Sequence, residues 1–171
     1  MKKLFISEGK QVGVIYHHTY NNNLLRKEGF SAALITELVS AILDNGLISF
    51  SYDYISFSRN FNLRSEDSRD DTPWGVVRIV VDGDSLSNRH KIEPYMDYDF
   101  VGIKRTSGEN EERVTWPHGT YLPIAKYILE IDILKLKGMD NKDEAIEAFF
   151  SLKSKYPAIN FKLVDNYTRY R

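Results

Sequence analysis

The chain has 171 residues, of which 42% are apolar and 13% aromatic, and a formal charge of -1 from 23 basic and 24 acidic side chains. That length and apolar share suit one unit with its own core, so residues 1–171 are expected to form a single domain. The chain has no cysteine, which excludes disulfides, thiolate catalysis and cysteine-ligated zinc. Its near-zero charge gives no global field for nucleic acid or an acidic membrane surface.

In chain order, MKKLFIS (1–7) begins like a leader, but its apolar run is short and Glu8, Gly9 and Lys10 follow it. No stretch approaches the roughly 20 apolar residues of a membrane span. A cytoplasmic protein is expected, in its own cell or in a host. QVGVIYHHT (11–19) alternates and predicts a strand. Residues 20–30 read as a polar connection. Ser31 is a candidate N-cap, and 31–46 predicts a helix with Leu34, Leu38 and Ile42 at four-residue spacing and Asn45-Gly46 as its stop. LISFSYDYISFSRN (47–60) predicts one or two extended segments, and NLRSEDSRDDTP (62–73) an exposed loop.

WGVVRIVVDGD (74–84) predicts a strong strand closed by an Asp82-Gly83 turn. Asp82 and Asp84 read as turn residues, because the other ligands of a calcium loop are missing. Residues 85–100 look irregular, with a short turn over 85–90. VGIKRTSGENEERVTW (101–116) predicts a strand, a loop and a second strand, and Pro117, His118 and Gly119 a turn. KYILEIDIL (126–134) predicts a strand, NKDEAIEAFFSLKSKY (141–156) a helix with Ala145, Ala148, Phe149 and Leu152 inward, and INFKLVDN (159–166) a last strand. Short strands dominate, and helices do not alternate regularly with them. An α+β fold follows, with a mainly antiparallel, split mixed sheet and a few flanking helices.

Three polar sets stand at strand ends or beside loops: Tyr16-His17-His18-Thr19, Ser56-Phe57-Ser58-Arg59 and Glu109-Asn110-Glu111-Glu112. Each has an ordinary reading. The histidines could be strand-end residues, Ser56 and Ser58 could bond backbone groups, Arg59 could be a surface ion-pair partner, and ENEE could be a solvated acidic loop. His90 and His118 have no partner at metal-ligand spacing and read as turn residues, so no metal is expected. There is no GxGxxG and no P-loop pattern, which argues against the Rossmann and P-loop uses of nucleotides.

Taken in order, VIYHHT, a helix ending ILDNGLI, then ISFSRN, then GENEERVTWPHGTYLP resemble the ADP-ribosyltransferase superfamily over roughly residues 12–134. The resemblance implies an ADP-ribosyltransferase-like fold and NAD as a substrate. It implies that His17, within a Tyr16-His17-x-Thr19 opening, bonds the nicotinamide ribose. It implies that Ser56 and Ser58 brace the nicotinamide pocket and that Glu112 is the catalytic glutamate. Glu111 is the rival candidate; the sequence departs from the family in that the glutamate-to-proline spacing there is one residue shorter than that from Glu112 to Pro117. Arg59 is a candidate for the pyrophosphate, and Tyr54 or Tyr52 for stacking on the nicotinamide.

The residue types suit the chemistry. Cleaving the N-glycosidic bond builds positive charge on the ribose, which a carboxylate stabilises. A histidine can donate to a ribose hydroxyl and fix it. The expected function is mono-ADP-ribosyl transfer to a macromolecule, a protein side chain before a nucleobase, as in a phage effector or toxin. The segment 104–110 would touch the acceptor, and 62–73 would help choose it. The alternatives are an inactive member of the fold that binds a nucleotide or a protein, and an interaction protein using Trp74, Tyr95, Tyr98 and Tyr121. RNA 2'-phosphotransfer ranks lower, because the basic residues are not clustered for an RNA phosphate.

Overall fold

A computed structural model describes residues 12–19, 31–50, 52–59, 76–94, 111–136 and 142–167. Strand β1 (Val14–His18) precedes helix α1 (Ala32–Asn45). Ser31 caps α1 as expected, its Oγ accepting the Leu34 N–H at 3.1 Å. Ile35, Val39 and Ile42 turn inward. The helix stops at Gly46, whose φ of 109° disfavours any side chain; a Cβ there would also stand 2.1 Å from the Leu122 carbonyl oxygen. The close approach seats the helix end against a small antiparallel ribbon of β2 (Leu47–Ile48) and β7 (Tyr121–Leu122).

The remaining elements are β3 (Tyr54–Ser58), β4 (Val77–Asp82), α2 (Gly83–Ser87), β5 (Ile92–Pro94) and β6 (Glu111–Thr115). A 3-10 turn (Ala125–Tyr127) then leads into β8 (Ile128–Leu136), α3 (Lys142–Lys155) and β9 (Phe161–Tyr167). The main sheet holds seven strands in the order β5-β6-β3-β1-β4-β8-β9. All its neighbours run antiparallel except β8 and β9. A parallel pair needs a crossover, which α3 supplies.

Strand alternation gives the sheet two unlike faces. One carries Ile15, Ile55, Phe57, Ile79, Val114, Ile131 and Phe161, all buried in one core with Ile35 and Val39 of α1 and Ala145, Ala148 and Leu152 of α3. Lys155 Nζ donates to Ser40 Oγ at 3.1 Å and ties the two helices together. The other face carries a polar row: His18 is paired with Arg78, Arg78 with Asp132, and Asp132 with Lys162.

The α+β class, the mainly antiparallel sheet and both long helices match the sequence reading. Within the span 47–60 two strands form, β2 and β3. Residues 83–87 form a short helix where a turn was expected. Asp82 is the reason: its Oδ1 accepts the Ser85 N–H at 3.0 Å, which makes it an N-cap. Residues 20–30, 62–73 and 101–110, together with Trp74, Tyr95 and Tyr98, lie outside the described residues. Among the described residues, no helix is long and apolar enough to cross a membrane.

Candidate active site

The first polar set divides between the faces. His17 points to the core face, where its ring meets the Phe57 ring edge-on at 5.8 Å. Its Nδ1 lies 2.9 Å from the Ser56 carbonyl oxygen. A carbonyl only accepts, so Nδ1 carries the proton. Burial pushes the His17 pKa below 6.5, partly opposed by this hydrogen bond, so the ring is neutral at pH 7. Nε2 is therefore bare. His17 would accept a hydrogen bond from a ribose hydroxyl, where the sequence reading had it donating one.

Tyr16 points the other way and stands opposite Ser58. Thr19 is buried, and its hydroxyl donates to the Val77 carbonyl at 3.1 Å. That bond pins the end of β1 to β4. β1 and β3 run antiparallel with Tyr16 opposite Ser58, so the two polar sets lie side by side although the strands run in opposite directions.

On β3, Phe57 faces the core, while Ser56 and Ser58 face the polar side. What Ser56 gives to His17 is its backbone carbonyl. On β6, Glu112 is paired with Phe57, so β1, β3 and β6 carry His17, Phe57 and Glu112 on one face of three adjacent strands. Glu112 is 1% exposed, which removes the reading of ENEE as a solvated loop at this residue. Arg59, just past β3, sets its Nε 3.2 Å from Glu112 Oε1, and the arginine side chain is 36% exposed. The surface reading of Arg59 is half right: its partner is an ion, but a buried one. Glu111 pairs with Ser58 along the backbone, and its side chain lies outside the described atoms.

Tyr54 lies between two flat groups. The Tyr52 ring stacks on it at 5.2 Å and 9°, and the Arg113 guanidinium sits 3.9 Å over its centre. Tyr52 is 63% exposed and Phe50 78%. The backbone under them is well tied: Ser49 N–H donates to Thr120 O, Gly119 N–H to Ser49 O and Trp116 N–H to Asp53 O. Ser49 Oγ also bonds Tyr52 O.

Sequence reasoning missed the Arg78–Asp132 pair. Nε and Oδ2 are 2.7 Å apart, and both side chains are fully buried. Burial raises the Asp132 carboxyl pKa, and Arg78 opposes the shift. The signal was present in part: Arg78 is the lone charge in VVRIVV, and Asp132 shares the otherwise apolar run ILEIDIL with Glu130. The contact of His90 with Trp116 and Tyr127 was also missed, and both rings stand edge-on to the imidazole.

No protein-family model, curated protein or solved structure matches this chain.

Proposed function

We propose that this chain is a mono-ADP-ribosyltransferase that moves ADP-ribose from NAD to a macromolecular acceptor, a protein side chain before a nucleobase. As an effector or toxin it would act on a host factor. The fold would then be an ADP-ribosyltransferase-like variant of the α+β class. One observation carries the reading: His17 and Glu112, which the motif resemblance names separately, share one sheet face on either side of Phe57. The bare Nε2 of His17 suits a ribose hydroxyl. The Glu112 carboxylate suits the positive charge that develops as the C1'–nicotinamide bond breaks. Nicotinamide leaves, and the acceptor atom bonds C1' and gives up its proton.

Arg59 links two steps in this reading. A pyrophosphate is a stronger partner for a guanidinium than one carboxylate. Bound NAD would draw the half-exposed Arg59 away from Glu112 and leave the carboxylate facing the ribose.

The same ion pair favours a second reading, an inactive protein of this fold that binds a nucleotide or a protein partner. There Glu112 stays buried and neutralised by Arg59.

Incubating labelled NAD with cell lysate and either wild type or Glu112→Gln separates the two. A macromolecule labelled by wild type alone supports transfer. NAD binding with neither label nor released nicotinamide supports the inactive reading.

A further inference from the structure

At the β5 edge of the sheet, next to the 3-10 turn, donors and cations gather. His90 stands two residues before β5 and Trp116 one residue after β6, beyond the Ile92–Val114 pair that ends the ladder. Their ring centres are 5.4 Å apart and nearly perpendicular. Tyr127 comes in from the 3-10 turn, 6.3 Å from His90 and again edge-on. The Trp116 Nε1–H and the Tyr127 hydroxyl are both buried, and among the described residues neither meets a hydrogen-bond partner. An indole N–H can only donate. Leaving such groups buried and unbonded is costly, so two whose rings pack on one imidazole call for an outside acceptor.

Charge points the same way. Lys126 Nζ lies 4.9 Å over the Tyr127 ring. Lys126 and Arg89 both press on His90 and, behind the larger effect of burial, hold its pKa below 6.5. Among the described residues, neither Lys126 nor Arg89 has an ion-pair partner, while nearby Lys91 is paired with Glu93. A ligand that fits this set has several acceptor oxygens and negative charge.

We propose that this cluster is a binding site for a phosphate-class anion, with Lys126, Arg89 and His90 at its mouth and the Trp116 indole and Tyr127 phenol inside. The site is separate from Glu112, which stands four residues away on β6, roughly 13 Å along the strand. It does not depend on the transfer reading.

The test titrates inorganic phosphate into the full chain carrying Trp74→Phe, so that emission reports Trp116. Chloride at matched ionic strength is the control, and the His90 imidazole is followed by NMR. Saturable change in Trp116 emission with millimolar phosphate is expected, together with a rise in the His90 pKa as the anion offsets the cations. Lys126→Ala, at an exposed position that leaves the fold intact, should weaken binding about tenfold, equivalent to about 1.4 kcal/mol. Tyr127→Phe should weaken it as well. A nucleoside diphosphate that binds tighter than phosphate would identify a nucleotide ligand; equal affinity would identify the free anion. A response no larger than that to chloride, or unchanged affinity in Lys126→Ala, would overturn the site.

Discussion

Arg78–Asp132 and Arg59–Glu112 are both arginine–carboxylate pairs with a buried acid, and they are built differently. Arg78 and Asp132 sit directly opposite on neighbouring strands, fully buried, with Nε and Oδ2 2.7 Å apart. Arg59 lies just past the end of β3, reaches Glu112 at 3.2 Å and keeps 36% of its side chain in solvent. The first pair cannot open without exposing two charges to the interior. The second can, because one partner already touches water. A strand interior therefore holds a fixed strut and a strand end holds an exchangeable one, and a substrate could use only the second.

The largest expected effect comes from breaking the strut. Asp132→Ala should cost about 3–5 kcal/mol, because it strands the Arg78 charge in the interior. Replacing both partners, Arg78→Met with Asp132→Leu, should recover most of that loss in a denaturant titration. If the single change costs less than about 1 kcal/mol, the pair is not the strut described here.

Next comes Glu112→Gln, which keeps the shape of the side chain. It should lower transfer about 100-fold or more while NAD affinity changes only a few-fold, read by nicotinamide release and by calorimetry. Arg59→Gln should act in the opposite order, weakening NAD binding more than it changes stability.

His17 gives a smaller effect that is easy to isolate by pH. Its folded pKa is lowered, so its contribution to stability is complete above 6.5 and declines as pH falls below 6.5 toward the folded value. His17→Gln keeps a donor for the Ser56 carbonyl but cannot titrate in this range. Thermal melts between pH 8 and pH 5 should fall less steeply for it than for wild type. Parallel curves would remove His17 as a neutral base on the core face.

The smallest expected change is Thr19→Val, which deletes the hydroxyl bond to Val77 O and should cost about 1 kcal/mol by chemical denaturation. Activity should follow stability, because this hydroxyl serves the fold.

Much of this was legible in the sequence. Ser31, Gly46 and the four-residue spacing between them gave α1 with its ends. The alternation in β1, β4 and β8 gave strands, because period-two patterning is local. Alternation also put Ser56 and Ser58 on one side. It could not show which side His17 would share, since that depends on pairing with strands far along the chain. The register answered it: Tyr16 joins the serines, and His17 joins Phe57 and Glu112. Arg78 and Asp132 escaped for a related reason. They lie 54 residues apart, and neither run contains a charge of opposite sign to reveal the pair. α2 was missed because Asp82-Gly83 suits a turn as well as a helix start, and only the Asp82 cap separates the two.

The most direct test of the central claim is nicotinamide release from NAD by purified wild type, Glu112→Gln and Glu111→Gln, with NAD binding measured on each. The account predicts release by wild type and Glu111→Gln, and binding without release by Glu112→Gln. Release that survives in Glu112→Gln, or wild type that neither binds nor cleaves NAD, would contradict it.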